Sequence, residues 1–464
     1  MSKGPSADGA ADERLPISTK ILIGMGDHTL TLSLTAMSVL HVFFLTEYVG
    51  LRPALAGTVP LIGRVVDAFT DPMMGRISDL TTWRSGRRRP YFALGALPFV
   101  LSFALMWADF GLTSQLGMFV TYSSIYILYS LCSTVLTVPY VALLPEVTRN
   151  YHERNSVNAY RSAAALLGTL LAGAGFRPLA AAFGEGGAGF LGAGLVFGLW
   201  MLWPWFALYR TIRERPDAVR PSHMGFVAGM RMLASHAAYR RITGFYLCSR
   251  VAIDVTGMML VFYFTYCMRR PGDFEITFLL LLIVAVAALP AWMHLARRLD
   301  KRTVFIAGAA WWGLLQASLF LATPEWPRAL VIGCTLIAAL GYGCVDMMPW
   351  SMLADVVDED ELRSGERREG LYAGVFGFLR KLGGASAVWI AGISLDLAGF
   401  VPGAEQPAHT LVTIRALTAL VPATALGLGV VLASGYDLGR ARHTEILAKL
   451  ASRTGARQSP SAET

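Results

Sequence analysis

The chain has 464 residues, of which 54% are hydrophobic and 16% charged, with a mean hydropathy of +0.49. Soluble domains carry about 25% charged residues, so this composition excludes an ordinary soluble enzyme. The net charge of +8 does not point to nucleic acid, because the basic residues are confined to short loops between apolar runs, the pattern of the positive-inside rule.

Apolar runs long enough to cross a hydrocarbon core roughly 30 Å thick recur along the chain. Twelve spans are expected, near 18–47, 54–79, 91–110, 116–145, 157–182, 188–210, 240–268, 274–297, 303–322, 328–356, 369–399 and 410–436. The polar segment Met1 to Leu15 predicts no cleavable signal peptide. The five cysteines (Cys132, Cys248, Cys267, Cys334, Cys344) all fall inside spans, so they are expected to be apolar filler rather than disulfides or metal ligands.

Charge sets the expected orientation. Arg76, Arg84 and Arg87 to Arg89 follow span 2. Arg149 and Arg154 follow span 4, and Arg210, Arg213 and Arg215 follow span 6. Arg297, Arg298, Lys301 and Arg302 follow span 8, and Arg363, Arg367 and Arg368 follow span 10. All these loops share one side with both tails, and that side is predicted to be cytoplasmic. The expected organisation is a polar tail (1–16), a six-helix bundle (17–211), a linker (212–238), a second bundle (239–438) and a basic tail (439–464). The basic hairpin after span 2 has a counterpart after span 8, as in a parallel repeat of two six-helix halves.

The polar residues inside spans come next. Span 1 holds Asp27, His28 and Thr31, and span 4 holds Ser133, Thr134 and Thr137. Span 2 holds Asp67 and Asp71, four apart on one helix face. A charge at the bilayer centre costs on the order of 3 kcal/mol, so such residues are expected to line a cavity or bind a cation. Helical rise places Asp67 about 18–20 Å into span 2, near the midplane, with Lys381 of span 11 at similar depth. Hard carboxylate oxygens suit Na⁺, and a carboxylate that readily takes a proton suits H⁺. Span 7 holds Arg250 and Asp254, and span 10 holds Asp346 at comparable depth; a structural ion pair and a substrate contact both fit them. Gly187-Ala-Gly189-Phe-Leu-Gly192 has no strand before it and is expected to be helix-packing glycine. No Walker A motif, H-E-x-x-H or nucleophile elbow occurs, so neither an ATP-driven pump nor a hydrolase is supported.

Four stretches carry a family resemblance. They are Arg64-Val-Val-Asp67-Ala-Phe-Thr70-Asp71-Pro72, Arg84-Ser-Gly86-Arg87-Arg88-Arg89-Pro90-Tyr91, the acidic run Asp355 to Glu361 with Gly365 to Tyr372, and Lys381-Leu-Gly383-Gly384. Together they resemble the glycoside–pentoside–hexuronide:cation symporters of the major facilitator superfamily. The resemblance implies an all-α membrane fold of twelve helices in two pseudo-symmetric bundles. It implies that Asp67, Asp71, Thr70, Thr134 and Lys381 serve the coupling cation, with Asp67 and Asp71 as ligands if that ion is Na⁺. It makes Arg161 a sugar contact. Thr31 and Thr137 stand where sugar-holding carboxylates are expected, and Val141 replaces a stacking ring.

The expected function is therefore Na⁺- or H⁺-coupled symport of a small solute by alternating access, with no enzyme activity and no cofactor. A lysolipid or amphipathic organic anion is the alternative cargo, and a non-transporting receptor is a remote third reading. Candidate substrate contacts are His28, Thr31, Thr137, Arg161, Arg250, Asp254 and Asp346, and candidate gate residues are Asp79, Arg87, Arg88 and Asp300. The expected partners are the lipid bilayer and the solute, with no nucleic acid. The expected state is a monomer in the bacterial inner membrane, both termini cytoplasmic.

Overall fold

A computed structural model describes residues 14–148, 150–184, 186–212, 214, 226–366 and 368–458. Of the residues singled out above, Arg149, Arg213, Arg215 and Arg367 lie outside these, as do 1–13 and 459–464 of the predicted tails and 215–225 of the linker. Twelve long helical segments correspond to the twelve expected spans. They are α1 (Ile17–Glu47), α2 (Pro53–Leu80), α3 (Arg89–Leu105), α4 (Gln115–Val147), α5 (Tyr151–Phe183) and α6 (Gly187–Thr211), then α8 (Ala237–Cys267), α9 (Asp273–Arg298), α10 (Lys301–Leu321), α11 (Arg328–Ser364), α12 (Glu369–Leu397) and α13 (Ala408–Ser434). A short helix α7 (Phe226–Ser235) lies in the predicted linker, and α14 (Arg440–Gln458) forms the basic tail. Among the described residues, nine helices are long and apolar enough to cross a membrane. The other three segments are α3, with 17 residues, and α2 and α12, which carry the intramembrane charges around Asp67 and Lys381.

The helices are not uniform. α1 and α8, the first spans of the two halves, each contain a wide π turn, at Met37–His41 and Tyr263–Cys267. A π turn leaves carbonyls imperfectly paired and often marks a functional segment. A third π turn, Ala416–Leu420 in α13, has no counterpart in α6, so only the pair in α1 and α8 follows the internal repeat.

The chain forms two compact units. The first comprises Met1–Pro221, Phe274–Leu279 and Trp389–Gln406, and the second comprises Ser222–Asp273, Leu280–Val388 and Pro407–Thr464. In the first unit, α1 and α5 pack along their lengths because small residues let their backbones meet. A side chain at Gly24 would strike the Tyr160 carbonyl, and one at Gly168 would strike that of His28. An aromatic cluster fills the core, with Trp107 against Phe176 at 4.4 Å between ring centroids. In the second unit, Tyr246 stacks on Phe376 at 4.4 Å and 8°. Gly308 and Gly341 let α10 and α11 cross closely, and Cys344 fills that crossing with its thiol directed at the Val304 carbonyl. All five cysteines are free thiols.

Candidate functional site

The first unit gathers oxygen atoms between α2 and α4. Asp67 is buried, and Asp71 lies one turn further along the same helix. Ser130 Oγ donates to Asp67 Oδ1, and Thr134 Oγ1 donates to Asp71 Oδ1 at 2.7 Å. Ser130 and Thr134 are themselves four apart, so the hydroxyl pair on α4 faces the carboxylate pair on α2 in register. Arg64 Nη1 reaches Asp67 Oδ2 at 3.0 Å from one turn earlier on α2. Thr70 donates its hydroxyl to the Val66 carbonyl at 3.1 Å, so its proton serves its own helix. The sequence reading quoted Arg64 without giving it a role and passed over Ser130. The i, i+3 spacing of Arg64 and Asp67 was the available signal.

A second polar cluster joins α1, α4 and α5. Arg161 grips Asp27 with two nitrogens, Nε to Oδ2 and Nη2 to Oδ1, the latter at 3.2 Å. Its Nη1 donates to Asn158 Oδ1 at 3.0 Å, and the guanidinium lies 5.7 Å from the Tyr140 ring centroid. The Tyr140 hydroxyl lies 2.7 Å from both Ile23 O and Asp27 Oδ2 and donates its single proton to one of them. A cavity of about 190 Å³ opens beside Asp27, Asn158 and Arg161. Asp27, seen in the sequence but left without a role, is therefore the counterion that holds Arg161 in place.

His28 has a different placement from the expected one. Trp200 Nε1 is a donor only, so His28 Nε2 must accept from it, at 3.0 Å. The ring proton then sits on Nδ1 and is donated to the Ala164 carbonyl at 3.1 Å. Both ring nitrogens are engaged, so His28 ties α1 to α5 and α6 rather than offering itself to a ligand. Thr31 and Thr137 are half-buried, and among the described residues neither makes a side-chain hydrogen bond.

In the second unit, Arg250 pairs with Asp254 one turn along α8 and with Asp346 on α11, the latter at 3.2 Å. Asp254 is largely buried, whereas the Asp346 side chain is 47% exposed. The glycines of Lys381-Leu-Gly383-Gly384 now have a reason. A methyl group on Gly384 would overlap the Asp254 carboxylate, and one on Gly383 would meet Leu247. Lys381 lies on the part of α12 that belongs to this unit.

The candidate gate residues make the following contacts inside their own units. Arg88 Nη2 bonds Asp79 Oδ1 at 3.0 Å, and its Nη1 bonds the Ala142 carbonyl. The Glu214 carboxylate accepts the backbone N–H groups of Arg87, Arg88 and Arg89 at 2.6, 2.8 and 2.6 Å. Those are otherwise unsatisfied donors at the start of α3, and an anion is favoured there. Gly86 adopts φ +118°, and a side chain on it would press on Glu214, which explains the Ser-Gly-Arg step in the basic loop. Asp300 Oδ1 accepts the Arg440 N–H at 2.9 Å, anchoring the start of α14, while Lys301 holds Asp355 at 2.7 Å. The sequence reading missed the pairs Arg52–Asp396 at 2.8 Å and Arg177–Glu275 at 2.9 Å in the first unit.

Comparison with known proteins follows the same lines. The family described as MFS/sugar transport protein matches residues 22–440. An uncharacterised symporter of Synechocystis sp. is 30% identical, across 95% of this chain and 98% of its own. A putative glycoside/cation symporter of Escherichia coli (strain K12) is 28% identical, across 92% and 94%. The sodium-dependent lysophosphatidylcholine symporter 1 of Gallus gallus is 26% identical, across 93% and 89%. The crystal structure of a D-xylose-proton symporter shares the fold, with a TM-score of 0.65 at 15% identity over 90% of this chain and 96% of that one. The chain is thus a multi-pass membrane transporter rather than an enzyme, and it belongs to the MFS/sugar transport protein family.

Proposed function

We propose that this transporter is a symporter driven by Na⁺ or H⁺, and one observation carries the reading. Two carboxylates on α2 face two hydroxyls on α4 inside a membrane-spanning bundle, and Arg64 pairs with Asp67. Four hard oxygen donors suit a small cation. Asp67 would take part in an exchange: Arg64 balances it when no cation is present, and an arriving Na⁺ or proton releases Arg64. That exchange is a charge switch inside the helix pair, and it gives the ion a differential affinity for two arrangements of the protein. Linkage then couples the ion to the solute, because each raises the affinity for the other by the same factor. Thr70 and Lys381 would tune the site.

The solute would meet Thr31, Thr137 and the Asp27–Arg161 pair in the first unit, and Arg250, Asp254 and Asp346 in the second. Arg161 is fixed by Asp27, so the recess beside it presents polar groups at little reorganisation cost, as a hydroxylated solute such as a glycoside requires. The half-exposed Asp346 offers a further acceptor. An amphipathic cargo is the second reading, supported by Thr31, Thr137 and the exposed Val141 at positions where the sugar-binding relatives' pattern calls for carboxylates and a ring. The protein would work as a monomer in the plasma membrane with both termini in the cytoplasm, needing no cofactor besides the coupling ion.

The test is uptake by proteoliposomes under an imposed Na⁺ or pH gradient, with a panel of glycosides, organic anions and lysolipids. Accumulation should follow one of the two gradients and disappear in Asp71→Asn. Accumulation that ignores both gradients, or survives the substitution, overturns the proposal.

A further inference from the structure

Some of the basic residues that set the expected topology pair with carboxylates, Arg88 with Asp79, Arg363 with Glu359 and Arg368 with Glu366, whereas the group around the α9–α10 turn does so only through Lys301. In the second unit a cavity of about 250 Å³ lies between the α9–α10 turn, α11 and the start of α14. Arg297, Lys301, Arg302, Arg440 and His443 line it, with Asp355 as the carboxylate in its wall. Lys301 is fully committed, to both oxygens of Asp355 at 2.7 and 2.8 Å and to the Ser351 carbonyl at 3.0 Å. Arg302 and Arg440 are held differently. Arg302 Nη1 donates to the Ser434 and Tyr436 carbonyls at 3.3 and 3.0 Å, and Arg440 Nη1 donates to the Arg297 carbonyl at 2.9 Å. Carbonyls fix a guanidinium in position without cancelling its charge. Among the described residues, no carboxylate pairs with Arg297, Arg302 or Arg440. Asp300 is occupied by the Arg440 backbone N–H, and Asp358 pairs with His443 at 3.0 Å. Arg297, Lys301, Arg302 and Arg440 outnumber Asp355, Asp300 and Asp358, so the cavity keeps an excess of positive charge, and each fixed guanidinium has N–H groups to spare.

We propose that this cavity binds a phosphate ester. Guanidinium forks match phosphate oxygens, and preorganised ones lose little entropy on binding. The cavity falls below the roughly 300–1,000 Å³ of a pocket for a drug-sized ligand, so it takes a headgroup rather than a whole metabolite with an apolar body. It lies at the ends of membrane-spanning α9 and α10, where basic pockets meet lipid headgroups. The phosphate belongs either to an anionic phospholipid or to a soluble phosphorylated compound. The site is separate from the α2–α4 carboxylates, and its test needs no transport.

The full-length protein is purified in detergent and titrated, in parallel arms, with phosphatidylglycerol followed by native mass spectrometry and with glycerol 3-phosphate followed by calorimetry. Phosphatidylethanolamine serves as the lipid control. Saturable binding of one equivalent is expected, weakened about tenfold or more in the Arg302→Ala/Arg440→Ala variant. Lys449→Ala, which removes a charge elsewhere on α14, should leave it unchanged. Arg302→Lys/Arg440→Lys keeps the charge and should recover part of the affinity, which separates loss of binding from loss of folding. Binding confined to phosphatidylglycerol assigns the lipid source, and binding of glycerol 3-phosphate assigns the soluble one. No saturable binding in either arm overturns the proposal, and so does equal loss in Lys449→Ala.

Discussion

The α2–α4 pair of the first unit and the α8–α11 pair of the second start from the same device and end differently. Each places an arginine one turn before an aspartate on a membrane helix, Arg64 before Asp67 and Arg250 before Asp254. In the first unit the facing helix adds hydroxyls, Ser130 to Asp67 and Thr134 to Asp71, while Arg64 pairs with Asp67. In the second unit the facing helix adds another acid, Asp346, and Arg250 sits between two carboxylates. Both arrangements hold one of these arginines and two acids; they differ in what the facing helix supplies, hydroxyls to the acids in the first and a second carboxylate to the arginine in the second. What the neighbouring helix contributes, rather than the arginine–aspartate step itself, separates a candidate ion site from a structural or substrate-facing pair.

The contrast is broken most strongly by neutralising each acid pair. Asp67→Asn/Asp71→Asn should lower gradient-driven accumulation about 100-fold or more in proteoliposomes, since each charge-assisted contact is worth about 1.5–3 kcal/mol. Asp254→Asn/Asp346→Asn should leave the choice of driving ion intact while lowering thermal stability, because Arg250 is then buried without a counterion. The reverse pattern would exchange the roles of the two regions. Next in size, Gly384→Ala forces the Asp254 carboxylate away from α12 and should cost about 3 kcal/mol, the order expected when a buried pair is broken. Thermal unfolding in detergent reads this, and Asp254→Ala in the same chain should remove most of the penalty. An additive double variant would mean that the overlap is absorbed elsewhere. Smaller again, Ser130→Ala and Thr134→Ala should each weaken the coupling ion about tenfold without abolishing symport, measured as the shift in half-saturating ion concentration. Unchanged half-saturation would remove the hydroxyls from the ion site.

The smallest effect is expected at His236, just before α8. Burial lowers its pKa, Glu359 opposes the shift, and Arg363 reinforces it. The folded protein thus favours the neutral ring. Its stabilising effect is complete above the ordinary histidine value of about 6.5 and is lost as pH falls through the lower folded value. The melting temperature should fall modestly between pH 7.5 and 5.5, and the slope should flatten in His236→Gln. An identical slope in the variant would assign the pH response to other groups.

Much of this was legible in the residues. Asp67 and Asp71 stood out because an acid inside an apolar run is costly wherever the chain later folds. Helical rise put Arg250 and Asp346 at comparable depth but left Asp254 and a substrate equally open as partners. Other features had no local signature. Asp27 was visible, but its partner Arg161 is 134 residues away, and nothing near Asp27 announces it. His28 looked like a ligand candidate until Trp200 and the Ala164 carbonyl were found on its two nitrogens. Glu214 lies in the predicted linker with no motif around it, and it closes the start of α3.

The number of long helices and the positions where charge enters the membrane were written in the residues alone. Those are transfer free energies, which depend on composition within a window of some twenty residues. Only the tertiary structure decided which acid received an arginine, which received a hydroxyl, and which glycine had to leave room for a carboxylate. Hydrogen bonds and steric overlap change over less than an ångström, and that distance is set by how helices far apart in the chain come to lie against each other.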